Sequence, residues 1–429
     1  MIGNLEFYLY IILLIQDLYK RKGITLIQIW IIAYLYIINS EALLFPENFQ
    51  DSDIWAVRFV GICNNCVLLG YYIKRTVRPL TSDEVSTTLK LSKNAKVTYF
   101  IFIILLLTLY IAQNLSTALI ARNYGREYAS EMAGSSSFNL VGSIIGSCGY
   151  ILPAIIAYYF SRRGSKFKIL YAALLSSPIF LILFWNGSRF PLLFSFLGFL
   201  IAGNMVAVRK LNKKSIIIGC CALLILKGIG DLMKLQRVHG ASHTQIEEEA
   251  GPSYDLLSQQ LSKDFSTEGV VYMTNFSHQY FSYHPHMMGV STGFLLYFWI
   301  PRVVWPDKPA MLGYWLLRTN GDSGFASGHS VSFGFCGDFY ADFGMFAPIL
   351  CILLGMLLKI LDNYCWKAFS YNKFNSVFAA MLYPWTFFIV RSPQTGTIAL
   401  FGMSIIYLLF RHILRQTQIK TPKRTYALN

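Results

Sequence analysis

Long apolar runs constrain the fold of this chain of 429 residues more than any other feature. One helical crossing of a bilayer needs roughly 20 mainly apolar residues. Eleven runs reach this length or come close to it: 5–19, 24–44, 54–73, 97–121, 138–160, 168–186, 190–208, 215–233, 338–361, 374–392 and 396–414. Hydrophobic residues make up 55% of the chain and charged residues only 14%. We therefore predict an all-α, polytopic membrane protein with about 11 transmembrane helices.

Basic residues indicate the orientation of these helices. The net charge of +15 would suit a nucleic-acid partner, but Lys and Arg cluster on alternate loops, which is typical of cytoplasmic connections. We therefore expect no nucleic acid, and membrane lipid around the spans. The alternation predicts the N-terminus outside and the C-terminus inside. It divides the chain into four parts: a bundle of about eight helices (1–235), a periplasmic segment (236–337), three helices (338–414) and a cytoplasmic basic tail (415–429).

The predicted periplasmic segment is too long to be a simple connector. Tyr254, Leu257, Leu261 and Phe265 repeat at helical spacing, which predicts an amphipathic helix. Residues 290–300 are apolar but too short to cross, and several prolines follow them. Because proline removes a backbone donor and fixes φ, we predict a re-entrant or interfacial segment there.

Three arginines stand beside tight turns at the same predicted depth on the outer side: Arg189, Arg302 and Arg391. The positive-inside rule disfavours arginine on the outer side. Each of these arginines therefore indicates an anionic ligand, an internal partner or a side chain that extends to the interface. Arginine suits phosphate because its planar donors bind two oxygens at once and stay protonated. Their common depth favours a shared anionic ligand.

Candidate acid–base residues also fall on the predicted outer side. His329 precedes Asp338, the start of a predicted span, by nine positions, and it could act as a general base or be an ordinary loop histidine. Asp338 and Asp342 are four residues apart on one helix; an ion pair is favoured, and capping or proton transfer is the alternative. Asp51 and Asp53 have a DxD pattern that could hold metal and sugar phosphates, although a turn is favoured. We expect no metal ion and no cofactor.

The residues from Gly289 through Ile300-Pro301-Arg302 and Trp305–Pro309 to Gly337–Gly344 resemble the Wzy-type bacterial polysaccharide polymerases, the O-antigen polymerase family. Asn186–Arg189 and Val390–Ser392 are similar to two arginine turns of that family. The resemblance implies a glycosyltransferase-C-like helical architecture. It also implies polymerisation of undecaprenyl-diphosphate-linked oligosaccharide, as donor and acceptor, into lipopolysaccharide O-antigen-like chains. This would occur on the periplasmic side of the bacterial inner membrane, with a chain-length regulator as a candidate partner.

On this hypothesis the three arginines stabilise the leaving diphosphate, with Arg318 and Lys308 as second choices. His329 takes the proton of the acceptor hydroxyl, with Asp338 in reserve, and direct displacement inverts the anomeric carbon.

Two alternatives stay open at this point. The first is a transferase that adds a single sugar from a polyprenyl-phosphate donor and uses Asp51 and Asp53. The second is a flippase or transporter of lipid-linked oligosaccharide. Transporters usually carry ionisable residues within the membrane, and the predicted spans here are nearly uncharged, which argues against transport.

Overall fold

A computed structural model describes the chain in separate stretches: 2–21, 23–39, 54–74, 93–124, 140–161, 168–187, 189–203, 270–300, 304–319, 332–371 and 374–416. The predicted crossing at 215–233, the predicted amphipathic helix at 254–265 and the tail beyond 416 lie outside these stretches.

Every regular element in these stretches is helical. The α-helices, in chain order, are α1 (Ile2–Arg21), α2 (Leu26–Tyr34), α3 (Ile54–Ile73), α4 (Lys93–Tyr124), α5 (Leu140–Ser161), α6 (Lys168–Trp185), α7 (Arg189–Gly203), α8 (Val270–Tyr283), α9 (Phe294–Tyr297), α10 (Leu312–Thr319), α11 (Gly334–Phe343), α12 (Ala347–Tyr371), α13 (Asn375–Arg391) and α14 (Pro393–Gln416). A π-helical turn, Leu35–Asn39, follows α2, and a 3-10 turn, Gly344–Phe346, joins α11 to α12.

Within the described stretches, five helical segments are long and apolar enough to cross a bilayer: Ile54–Ile73, Val97–Tyr124, Val141–Ser161, Gly334–Phe369 and Pro393–Ile413. Shorter apolar helices accompany them. Large apolar side chains cover the outside of α4, where Ile101 is 61% exposed, as expected of a surface that contacts lipid. The prediction of an all-α, polytopic membrane protein is confirmed. The number of eleven spans stays a prediction, because part of the chain lies outside the described residues.

Two glycines allow α3 and α12 to pack with their backbones in contact. A methyl group at Gly70 would overlap the carbonyl oxygen of Ile352, and one at Gly355 would overlap the carbonyl oxygen of Val67. Small residues permit this approach between membrane helices, which lack a hydrophobic force to bring them together. The α3–α12 pair is the most extensive helix contact of the described part.

The apolar run predicted as one helix over 338–361 is divided in the structure. Gly344 has φ of 55°, a conformation that is costly for residues with a Cβ. A methyl group there would also lie 2.6 Å from Nε2 of His286. The helix therefore ends at Phe343 and resumes at Ala347, which places Asp338 and Asp342 on a separate short helix, α11.

The expectation of nearly uncharged spans was wrong for α12. Lys359 and Asp362 are buried within it, at 1% and 0% exposure. The Asp362 carboxylate accepts hydrogen bonds from the Leu26 amide at 3.0 Å and from the Tyr71 hydroxyl at 2.7 Å. The Lys359 ammonium lies 4.4 Å from the centre of the Tyr71 ring. The Asp362 carboxylate thus accepts a backbone amide at the start of α2 that has no acceptor within its own helix. Through their contacts with the Leu26 amide and with Tyr71, Asp362 and Lys359 connect α12 to α2 and α3.

Candidate active site

Arg391, the last residue of α13, lies against the first turn of α7. Its guanidinium carbon is 4.1 Å from the centre of the Phe190 ring, within range of a cation–π attraction. The Phe190 ring also lies 6.5 Å from Phe387 and 6.0 Å from Phe388, measured between ring centres. Because Arg189 immediately precedes Phe190, the helix ends that carry two of the three predicted arginines are in contact. We call this part of the molecule the Arg391 end.

The turn before α7 depends on Gly187. Its φ is 61°, which glycine adopts without steric cost. The Gly187 amide donates to the carbonyl oxygen of Phe184 at 2.9 Å and closes the end of α6. Pro191 falls in the first turn of α7, where amides have no intrahelical acceptor in any case. The structure thus contains the predicted tight turn at the point where Arg189 begins a helix.

Gln394 connects the Arg391 end to two other segments. It is 9% exposed and lies in the first turn of α14. Its side-chain amide donates to the Ser291 hydroxyl at 2.6 Å and to the Ser291 carbonyl oxygen at 3.2 Å. Its side-chain oxygen accepts the Leu312 amide at 3.1 Å. Gln394 therefore holds the loop before α9 and the start of α10 beside the end of α13. The sequence analysis missed this residue, although a glutamine beside Pro393 in an apolar run was a usable signal.

Lys308 closes the loop that contains Arg302. Its side chain is 5% exposed, and its ammonium donates to the carbonyl oxygens of Phe298 at 2.9 Å and Ile300 at 2.7 Å. These carbonyls belong to the turn that follows α9. A buried ammonium is stable there because the two acceptors replace water. The structure thus gives Lys308 a role in fixing this loop, and binding of a diphosphate by Lys308 stays a prediction.

Asp342 fixes the other end of the same loop. Its carboxylate accepts the Ser291 amide at 2.8 Å and also accepts the Thr292 amide. The Met288 amide donates to the Asp342 carbonyl oxygen at 3.1 Å. The favoured ion pair was therefore the wrong interpretation of Asp342, because backbone amides occupy the carboxylate. Asp338 lies one turn earlier on α11 and is 5% exposed.

The segment at 290–300 is built from turns around the four-residue helix α9. The Tyr297 hydroxyl donates to the Val290 carbonyl oxygen at 2.6 Å. Burial, with a contribution from the nearby Asp342 carboxylate, raises the pKa of Tyr297 to about 12. The phenol is therefore protonated at neutral pH and keeps this hydrogen bond. Entry of the segment into the bilayer stays a prediction.

The predicted site residues fall into three groups. Side chains are described, on segments that meet at the Arg391 end, for Lys308, Asp338 and Arg391. Only the backbone is described, at the start of α7 and within α10, for Arg189 and Arg318. Outside the described residues lie Arg302 and His329, together with Asp51 and Asp53. Gln394 thus holds Ser291 and Leu312, which lie on either side of Arg302 in the chain, beside the end of α13, and the roles of all the predicted site residues stay predictions.

A histidine site between α3, α8 and α11 was not recognised from the sequence. His278 Nδ1 is 2.6 Å from the Tyr340 hydroxyl, and the His278 ring stacks on Trp55, with centres 3.6 Å apart and planes at 13°. Burial lowers the pKa of His278. His278 falls within the predicted periplasmic segment (236–337), but Trp55, His278 and Tyr340 are too far apart in the chain for any spacing to indicate their contact.

These helices and the arginine-bearing end define a polytopic helical membrane protein with a polar site at one end of its bundle. Within that class, 67 residues of the chain are 36% identical to an O-antigen polymerase of Salmonella typhimurium (strain LT2), and the same figures hold for an O-antigen polymerase of Salmonella typhi. The matched stretch covers 15% of this chain and 16% of the length of each relative. No protein-family profile and no solved structure matches the chain.

Proposed function

We propose that this protein is a glycosyltransferase that polymerises undecaprenyl-diphosphate-linked oligosaccharides into an O-antigen-like polysaccharide. The observation that carries the proposal is the meeting of three segments at the Arg391 end: the start of α7, the end of α13, and the segment from Ser291 to Leu312, whose two ends are bound by Gln394. Each of these segments contains one of the predicted diphosphate ligands. The partial similarity to two O-antigen polymerases supports the same conclusion. On this proposal the Arg391 end faces the periplasm, and the protein lies in the inner membrane.

The chemistry follows from the charge of the leaving group. A sugar hydroxyl of one lipid-linked unit attacks the anomeric carbon of another, and the bond from that carbon to the diphosphate breaks. The departing phosphate oxygen gains negative charge, which positioned guanidinium groups stabilise without a metal ion. Arg391 suits this role because its guanidinium is positioned against the Phe190 ring and because a guanidinium can bind two phosphate oxygens at once. His329 and Asp338 are the base candidates from the sequence.

Substitution of Arg391 tests the proposal directly. Purified protein in detergent is incubated with a defined lipid-linked repeat unit, and the product lengths are resolved on a gel. Arg391→Ala should lower the polymerisation rate by about 100- to 1000-fold, the usual cost of one lost donor to a developing oxyanion. Arg391→Lys should recover only part of the rate, because lysine keeps the charge but lacks the planar pair of donors.

Arg122→Ala provides the matched control. The Arg122 guanidinium carbon lies 5.2 Å from the centre of the Trp185 ring, so it also combines an arginine with an aromatic ring near a helix end. Arg122 is exposed, and we expect its alanine variant to produce the full ladder of lengths. If Arg391→Ala also produced that ladder at the wild-type rate, Arg391 would not bind the leaving diphosphate.

The same assay distinguishes the two alternatives by product size. A single-sugar transferase would add one residue and stop, and Asp51→Ala with Asp53→Ala would abolish that addition. A transporter would form no glycosidic bond in detergent. The buried Lys359 and Asp362 are the feature that a transport function would use, but the Asp362 carboxylate binds a backbone amide and a phenol. That arrangement favours a structural role for this pair.

A further inference from the structure

The His278 side chain is held on two sides by residues of other helices. Its Nδ1 atom is 2.6 Å from the Tyr340 hydroxyl of α11. Its ring stacks on Trp55 of α3 at 3.6 Å between centres. The Tyr340 ring in turn meets Trp55 edge to face at 5.1 Å and 72°. An imidazole fixed in this way keeps one orientation, which is what a proton-transfer residue requires.

The contact through Nδ1 determines what the other ring nitrogen can do. When Nδ1–H donates to the Tyr340 oxygen, Nε2 carries the lone pair and can accept a proton. His278 is only partly buried, so its ring is not sealed inside the helix contact. The lowered pKa, which burial of the ring causes, keeps the imidazole neutral and able to accept a proton at neutral pH.

The helix that holds His278 in place also reaches the Arg391 end. A methyl group at Gly334, the first residue of α11, would lie 3.3 Å from the carbonyl oxygen of Val390 and 2.5 Å from a side-chain carbon of Val270. The start of α11 therefore packs between Val390, the residue before Arg391, and Val270, the first residue of α8. His278 lies on the same helix α8. Tyr340 follows on the same helix less than two turns later. The histidine and the arginine are thus attached to one rigid element.

We propose that His278 is the general base of the glycosyl transfer, and that Tyr340 and Trp55 position it. The inference rests on the polymerase function proposed above and assigns its proton acceptor. Nε2 takes the proton of the acceptor sugar hydroxyl as the hydroxyl oxygen bonds to the anomeric carbon of the donor. The electron pair of the broken bond leaves with the undecaprenyl diphosphate, and the imidazolium later releases its proton to water.

Two substitutions of His278 separate base chemistry from packing. His278→Asn places an amide near the position of Nδ1 and can keep the Tyr340 hydrogen bond, but it lacks Nε2. His278→Gln places an amide near Nε2, where it cannot act as a base. Both variants lose the stack on Trp55 but should remain folded, and both should lose about 100- to 10,000-fold in kcat. Added imidazole should restore part of the rate of His278→Asn, which a purely structural role would not produce.

Tyr340→Phe and His284→Asn complete the experiment. Tyr340→Phe keeps the ring contacts but removes the hydroxyl that orients the imidazole, so kcat should fall with little change in KM. His284→Asn is the matched control, because the His284 ring stacks on Tyr280 at 4.2 Å and should be dispensable. Polymerisation by His278→Asn at the wild-type rate would overturn the inference. So would a lost rate that imidazole does not restore while Tyr340→Phe is fully active.

The wild-type protein distinguishes failure of this inference from failure of the proposed function. If the wild type forms no polymer from lipid-linked units, the proposed function is wrong and the inference falls with it. If the wild type polymerises and Arg391→Ala does not, while His278→Asn is fully active, only the assignment of the base is wrong.

Discussion

Replacing Gly355 with alanine should separate α3 from α12. The added methyl would overlap the carbonyl oxygen of Val67 and would lie 2.8 Å from the Tyr71 nitrogen, where an ordinary contact is at least 3.4 Å. Both obstacles are backbone atoms, so no side chain can rotate out of the way. The strain can be relieved only by moving α12 away from α3, which also loosens the side chains packed on both sides of the crossing.

The magnitude follows from two opposing effects. Overpacking of a tight core commonly costs about 1–3 kcal/mol, and an obstacle made of backbone places this site at about 3 kcal/mol. Alanine gains about 1 kcal/mol over glycine inside a helix. The net loss for Gly355→Ala should therefore be about 2 kcal/mol. Gly146 of α5 is the matched control, because a methyl group there meets nothing within 4 Å. Gly146→Ala should be neutral or stabilising by about 1 kcal/mol.

The two variants can be compared by heating purified protein in detergent and measuring the monodisperse fraction by size-exclusion chromatography. Gly355→Ala should lose this fraction at a clearly lower temperature than the wild type, and Gly146→Ala should not. Gly70→Ala should resemble Gly355→Ala, and the double variant should cost less than the sum, because one separation of the helices relieves both overlaps. Equal midpoints for Gly355→Ala and Gly146→Ala would refute the close backbone contact.

Three further predictions concern the Arg391 end. Asp342→Asn places an NH2 group against one of the two backbone amides that the carboxylate binds, which should cost about 1.5–3 kcal/mol of stability. The loop at 284–300 should then be cleaved faster in limited proteolysis. Unchanged cleavage would contradict the role of Asp342 in fixing this loop. Lys308→Met removes two hydrogen bonds to carbonyl oxygens and should lower both the thermal stability and the polymerisation rate. A lower rate at unchanged thermal stability would indicate instead that Lys308 binds the diphosphate. The polymerisation rate in excess EDTA should stay within about twofold of the untreated rate, because arginines stabilise the leaving group. A loss of activity that Mg²⁺ restores would show that a metal ion is required.

The membrane helices could be predicted from the sequence because each carries its own signal. The apolar run at 54–73 corresponds to α3, Ile54–Ile73, and the run at 168–186 corresponds to α6, Lys168–Trp185. The turn before α7 was equally local, since Gly187 permits a positive φ that few other residues adopt. The break at Gly344 was not predicted, because the apolar run at 338–361 was interpreted as one helix, whereas α11 ends at Phe343 and α12 begins at Ala347.

The contacts that assemble the site have no local signal. Gln394 binds Ser291 across 103 positions, and Asp362 binds the Leu26 amide across 336 positions. Such pairs depend on how the helices pack, and neither hydropathy nor residue spacing contains that information. For the same reason the sequence indicated an ion pair for Asp342, whose carboxylate instead binds the Ser291 amide. Individual polar residues could be selected as candidates from the sequence, but their structural partners could not be identified.

The glycine contact between α3 and α12 has a consequence for biogenesis. The ribosome delivers α3 to the membrane long before α12 is synthesised, and chains acquire structure from the N-terminal side first. The hydrogen bond from Trp30 to Asn64, 2.8 Å long, gives α3 an early neighbour in α2. Until α12 is synthesised, the face of α3 around Gly70 is expected to contact lipid. A nascent chain that stops before α12 therefore lacks the helix that covers the Gly70 face of α3.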